Sequence, residues 1–342
     1  MQAGIIGCGV YIPRLRIKRE EYQRAWGYFS PRGVEEKSVA DFDEDSITMG
    51  VEVASNALRN ARADASEVDV VYFASTSPSY AEKQNASTIA AALGCRSDIS
   101  TVDITSSVRS GASALLSCLD FVSSGRGRRG LVIAADCPHG DPTTSLEHQL
   151  GAGGAAMIVG HERMGALFDG SFSVASESIG ERFRRDGQRY VMTVDIGPYH
   201  EAVLDEVVTS CVEGIMEKLH SSPKDYDWFV LQGLDDVRAL ALSKKLGFDQ
   251  GKITPSMVST NIGDTGAASA LLALSKILES ASTRQRVILC SYGPGGGADA
   301  LSLTVEGEMK TTSGAGFQDY LARKEYIDYT TYLKLRRIFV SS

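Results

Sequence analysis

The chain is poor in the residues that metal-bound and disulfide-stapled scaffolds rely on. Its 342 residues hold six cysteines, five histidines and two tryptophans. Cys8, Cys95, Cys118, Cys137, Cys211 and Cys290 are scattered without a CxxC pair, several in apolar runs where a reduced thiol acts as a small hydrophobe. Neither disulfides nor structural zinc is expected. The histidines show no HxH or HxxxH spacing, so no metal ion is expected either. Basic residues are outnumbered, 35 against 43 acidic, for a net charge of −8. The one dense basic stretch, GRGRRG at 125–130, reads as a solvated helix-to-strand turn and not as a nucleic-acid footprint. Long apolar runs are missing, and the opening MQAGIIGCGVYIPR lacks the basic and apolar regions of a signal peptide. A cytoplasmic chain that crosses no membrane is expected.

What is present is 43% hydrophobic residues, enough for a large core, laid out as a repeated pattern. In the first half DVVYFAS (69–75) reads as a strand, STIAAALG (87–94) as a helix, TVDI as a strand, GASALLSCLDFVSSG as a buried helix and GLVIAAD (130–136) as a strand. DWFVLQG (227–233), ALALSKKLG (239–247), MVSTNIG, ASALLALSKILESA (268–281) and RVILCSYG (286–293) repeat that order, with SALL at 113–116 echoed at 269–272. Each half closes with a glycine turn into an apolar strand, GAGGAAMIVG (151–160) and GPGGGADALSLTV (293–305). The halves are set at 1–165 and 166–342, the second carrying a terminal extension. Alternation of apolar strands with helices predicts mostly parallel sheets covered on both faces, and two sheets sharing a central helical layer. The GLVIAAD strand is expected at a buried edge.

The connections fit this plan. Residues 14–46 are a polar excursion with a helix of its own, and Asp43-Glu44-Asp45-Ser46 caps the helix that follows. The tail QDYLARKEYIDYTTYLKLRRIFV (318–340) reads first as a packed extension and second as an interface element. Gly4, Gly7 and Gly9 give only a partial dinucleotide fingerprint; Pro13 and an extended pattern follow where a Rossmann site needs a helix, so a tight strand turn is the better reading. His139 and His148 lie in a loop near a strand end, where one of them could face a cleft.

The stretch DITSSVRSGASALL (103–116) is a strand-to-turn-to-helix elbow of the kind that carries a nucleophile. Ser106, Ser107 and Ser110 crowd it, with nothing in the sequence to place a base beside them.

With NIGDTGAASALLAL and SYGPGGGADALSLTV, this elbow resembles those of the thiolase superfamily, in its 3-hydroxy-3-methylglutaryl-CoA synthase branch, over nearly the whole chain. The resemblance implies an α/β, five-layer αβαβα fold. It also implies a Cys nucleophile, a Glu and a His for proton transfer, and an Asn that helps to hold an oxyanion. Carried over, these fall on Val108, Thr76, Gln232 and Asp264, so every catalytic position is altered. Val cannot attack a thioester, Thr and Gln do not exchange protons near neutral pH, and Asp would oppose an oxyanion.

Within the branch, FDGSFSVASE, DGQRYV, SSPKDYD, NIGDTGAAS and YIDYTTYLK are similar to the nucleophile-lacking synthase-like subunit of a bacterial acetyltransferase complex that forms diacetylphloroglucinol. That resemblance implies a thiolase-like catalytic partner and a small OB-fold partner able to carry zinc, while the family resemblance implies a homodimer paired through the first-half sheet. Three readings stay open: a non-catalytic subunit of an acyltransferase complex; a self-sufficient acyl-CoA condensing enzyme or acyltransferase using Ser106, Ser107 or a displaced Cys; and a module that binds CoA or an acyl ligand without turnover.

Overall fold

A computed structural model describes residues 2–29, 33–162, 164–177, 181–194, 198–295, 297–309, 311 and 315–337, of which 198–201 by backbone alone. The first half runs β1 (Gly4–Tyr11), β2 (Leu15–Lys18), α1 (Arg19–Trp26), β3 (Glu36–Val39), α2 (Ser46–Ala61), β4 (Val70–Ala74), α3 (Asn85–Leu93), β5 (Ser100–Ile104), α4 (Ser110–Ser123), β6 (Gly130–Asp136) and β7 (Gly153–Gly160). The second runs β8 (Ala166–Ala175), α5 (Pro198–Lys218), β9 (Trp228–Gln232), α6 (Asp236–Lys245), α7 (Gln250–Ile253), α8 (Ser259–Ile262), α9 (Ser269–Ser280), β10 (Arg286–Gly293) and β11 (Gly297–Val305). The extension adds α10 (Phe317–Ala322), β12 (Glu325–Tyr326) and α11 (Tyr329–Leu335).

Period-two patterning sorts the strands into layers. Val71 and Phe73 of β4, with Leu131, Ile133 and Ala135 of β6, pack outward under α2 and α3. Val70, Ala74, Val132 and Ala134 face the other way, in one cluster with α4, α9 and the inner residues Val230, Val287 and Leu289 of the second half. Phe229, Leu231, Ile288 and Cys290 pack under α5 and α6. This is the expected five-layer α/β arrangement, with α4 and α9 as the shared middle. Both helices are apolar on nearly all sides because each meets sheet on two faces.

The strand order is β5-β4-β6-β7-β1-β8-β11-β10-β9, and the halves join where Gly4 and Ile5 pair with Leu167 and Ala166. Three expectations are corrected. Five of the eight neighbouring pairs are antiparallel, because β6–β7 and β10–β11 reverse direction and β1 and β8 run against their neighbours. GLVIAAD is an interior strand, wholly buried between β4 and β7; the outer strand is β5, where Val102 is 37% exposed. MVSTNIG forms the helical turn α8 and no strand. Val258 and Ile262, four apart, are buried on one side of it, and Ser259 and Thr260 donate to Asp236 at 2.6 and 3.0 Å, bonds that compete with a sheet ladder.

Gly7 and Gly9 of β1 serve helix packing and not a turn: a Cβ on Gly9 would lie 2.3 Å from the Val53 carbonyl oxygen, so α2 rests directly on the strand. Asp45 caps α2 as expected, accepting from the Ile47 and Thr48 amides at 2.9 and 2.8 Å. The tail is packed through residue 337, β12 pairing with β2 and Tyr332 of α11 buried beside Tyr22 of α1. Beneath it, Lys37 Nζ donates to Glu147 Oε1 at 2.7 Å, both side chains 1% exposed. The Tyr332 hydroxyl also donates to Glu147, and Arg336 Nε donates to the Tyr332 hydroxyl at 3.2 Å. Among the described residues no helix is long and apolar enough to cross a membrane.

Candidate functional site

The elbow lies between β5 and α4. Ser106 takes φ +74°, in the left-handed region that costs a non-glycine residue energy, and its hydroxyl is exposed. Val108 follows, 8% exposed, ahead of the first turn of α4. Two close approaches seat this turn against the second half. A Cβ on Gly293 would meet Ser107 Oγ at 2.2 Å, and one on Gly111 the Ala267 carbonyl oxygen at 2.2 Å.

The four positions to which the family resemblance assigns catalytic roles converge. Val108, Gln232 and Asp264 line one cavity of about 210 Å³ together with Arg182. Thr76 lines a neighbouring cavity of about 410 Å³ that shares Val108 and Arg182 with the first. Each replacement is engaged in the fold. Gln232 Nε2 donates to the Ser256 carbonyl at 3.4 Å. The Thr76 hydroxyl donates to Asp136 Oδ2 at 2.9 Å. Asp264 forms a 2.5 Å ion pair with Arg182 Nη1 and accepts from the Gly266 amide at 2.8 Å. Asp264 is therefore a neutralised member of a pair and not the isolated charge the sequence suggested.

Asp136 is the residue that reading the sequence missed. It is fully buried at the end of β6 and gathers the Ser75 hydroxyl at 2.7 Å, the Thr76 amide at 2.8 Å, the Ser77 amide and hydroxyl at 2.8 and 2.6 Å, and the Ala267 amide at 2.6 Å. One carboxylate thus binds the end of β4 to the loop before α9. Its only signal is an acid closing an otherwise apolar strand. Arg182 carried less, as one of several charges in ERFRRDGQRY.

The fallback nucleophiles lack activation. Ser106 Oγ lies 3.3 Å from Thr105 Oγ1, and Ser107 Oγ accepts from the Arg109 amide at 3.4 Å. Among the described residues no histidine or carboxylate bonds to either hydroxyl. All six cysteines are free thiols. Burial pushes Cys137, near the Thr76 loop, up to about 11 and Cys8 up to about 12, against the thiolate that attacks an acyl group. His139 lines a third cavity, of about 570 Å³; burial, then Arg336, Arg189, Arg184 and Lys37, hold its imidazole down to about 3, so it stays neutral. His148 is buried and stacked on Phe29 at 5.5 Å, away from the elbow. No group of three or more His, Cys, Asp or Glu able to hold a metal ion occurs among the described residues.

With this geometry established, known proteins supply the context. Residues 216–305 match the family model of the C-terminal part of 3-oxoacyl-[acyl-carrier-protein] synthase III. Over 98% of its length the chain is 35% identical to a hydroxymethylglutaryl-CoA synthase of Thermococcus sibiricus, covering 97% of that protein. It belongs to the hydroxymethylglutaryl-CoA synthase family. The synthase of Methanocaldococcus jannaschii is 34% identical, with 98% of this chain and 99% of that protein covered.

Among solved structures, an HMG-CoA synthase complexed with CoA superposes with a TM-score of 0.87 at 20% identity, over 98% of this chain and 90% of that one. The 3-oxoacyl-[acyl-carrier-protein] synthase III of Aquifex aeolicus gives 0.79 at 22% identity, over 88% and 99%. These two likenesses concern the fold, which is thiolase-like.

Proposed function

We propose that this member of the family is a synthase-like, non-catalytic subunit of a multi-subunit acyltransferase complex, with the acyl-transfer or thioester-condensing step carried by a partner chain. The observation that carries the reading is Val108, a hydrocarbon side chain at the elbow where the two cavities meet. Around it Thr76 has given its hydroxyl to Asp136 and Asp264 is paired with Arg182, so neither is available as a base. The partner set follows the family resemblance for a second copy of this chain, and the resemblance of the tail and loop motifs for a thiolase-like catalytic subunit and a small OB-fold subunit able to carry zinc. Acyl-CoA is the expected donor in the complex, and the chain itself is assigned neither a cofactor nor a metal. A cytoplasmic location goes with this reading.

The test is direct. The pure chain is incubated with acetyl-CoA and its intact mass measured, with and without a thiolase-like partner encoded beside it. The reading expects no adduct on this chain, and transfer that depends on the partner's Cys. A stoichiometric acetyl group on Ser106, Ser107 or any Cys would establish the second reading, a self-sufficient acyltransferase, which the relatives' names favour.

A further inference from the structure

Arg182 stands at the wall between the two cavities beside Val108, and only part of its guanidinium is used. Nη1 pairs with Asp264; Nη2 is buried and has no hydrogen-bond partner among the described residues. A buried N–H of a charged group left in that state is unfavourable, and a ligand oxygen is one way to supply the missing acceptor. Arg184 lies on the same 410 Å³ cavity. It donates to the carbonyls of Thr76 at 3.1 Å and Gln188 at 3.4 Å and pairs with no carboxylate among the described residues.

The rest of that cavity's described lining is hydroxyl or apolar, with Thr105, Ser106 and Ser107 and without an acidic side chain. The 210 Å³ cavity behind it differs. Val34, Val108, Leu146, Leu204 and Leu234 give it an apolar wall, while the carboxylates of Glu181 and Asp235 disfavour an anion there. A ligand that satisfies both spaces has a negative head and an apolar tail, and can lie only one way round.

We propose that this joined space binds a free short-chain organic carboxylate, its head held by Arg182 and Arg184 and its hydrocarbon running past Val108 along the apolar wall of the 210 Å³ cavity. Guanidinium groups recognise carboxylates by paired, charge-assisted hydrogen bonds. A neutral acyl group would leave Arg184 without a counter-charge and Arg182 Nη2 without an acceptor, and inorganic phosphate would leave the apolar wall unfilled. Such binding does not depend on whether a partner performs transfer.

Calorimetric titration of the full chain with hexanoate, hexanamide and inorganic phosphate tests this without any activity assay. Hexanoate should bind at least tenfold more tightly than hexanamide or phosphate. Arg184→Gln should weaken it at least fivefold, and Val108→Phe, which fills the tail path, at least tenfold. Arg182→Gln should do the same; because it also strips Asp264 of its partner, Arg184→Gln and Val108→Phe decide the matter if that protein is unstable. Equal affinity for hexanamide, equal affinity for phosphate, no hexanoate binding at millimolar concentration, or unchanged affinity in Arg184→Gln and Val108→Phe would each overturn the proposal. Failure here leaves the subunit reading standing, since partner-dependent transfer is measured separately.

Discussion

The Thr76 hydroxyl donates a hydrogen bond to Asp136 Oδ2 at 2.9 Å, and Asp136 has no exposure to solvent. A general base needs a free, movable proton site, whereas here the side chain is one strut in a buried junction.

Placing a carboxylate at position 76 should therefore damage the fold. Thr76→Glu is expected to cost about 2 kcal/mol at pH 7, because a second carboxylate meets a buried one. The loss should shrink near pH 4, where the added acid takes up a proton. Urea unfolding at both pH values checks this; a variant as stable as the parent at pH 7 would show that Asp136 tolerates the charge.

Val108→Cys is expected to gain a modifiable thiol and little else. A thiolate ahead of α4 is favoured by the helix N-terminus, so the variant should take iodoacetamide label at position 108. Condensation of acetyl-CoA should stay within threefold of the parent, since Thr76 and Gln232 supply no acid or base and such sets act as a unit. Product analysis showing a tenfold or greater rise would mean the surrounding groups still suffice.

Glu279 offers a pH signature. Burial raises its carboxyl from 4.5 to about 7 despite the Phe317 amide donating to it, with Asp319 adding to the rise. The folded state then holds a proton that the unfolded chain releases above about 4.5, so the stability tied to this group is full below that pH and is lost as pH rises through 7. Glu279→Gln should accordingly be near neutral at pH 4.5 and stabilising by roughly 1–2 kcal/mol at pH 8. A stability difference between the two proteins that does not vary with pH would refute the assignment.

The pair beneath the tail should be costly to break from one side. Lys37→Met leaves Glu147 buried without its ammonium partner, an expected loss of about 3–5 kcal/mol. Glu147→Gln added to it should restore part of that loss, and the double-mutant coupling is the measured quantity. A Lys37→Met protein within about 1 kcal/mol of the parent would sink this account.

Strands that are apolar on both faces were the most legible part of the fold. GLVIAAD and RVILCSYG end where the structure ends them, because a strand buried between helical layers has no polar residue until it leaves them. Their order across the sheet was not legible, since a continuous apolar run looks the same at an edge or in the interior; hence the misplacement of β6. MVSTNIG misled because two apolar residues four apart fit a helical turn, and the hydroxyls between them found Asp236. At the site, the altered positions were read through family likeness, and their convergence follows from the five-layer fold. What fixes them, Asp136 under Thr76 and Arg182 against Asp264, joins residues far apart in sequence through single side-chain bonds, which leave no periodic trace.

The cluster around Glu147 also sets a condition on how the molecule is made. Its ammonium partner lies 110 residues earlier in the chain, and the Tyr332 hydroxyl lies 185 residues later. A ribosome that has released the first repeat has delivered Lys37 and Glu147 without the aromatic roof that seals them from water. Until the helix that carries Tyr332 emerges, the pair lacks that cover. A message cut short anywhere before that helix would yield a product with an open, hydrated seam at this spot, a mark by which a protease could tell unfinished copies from finished ones.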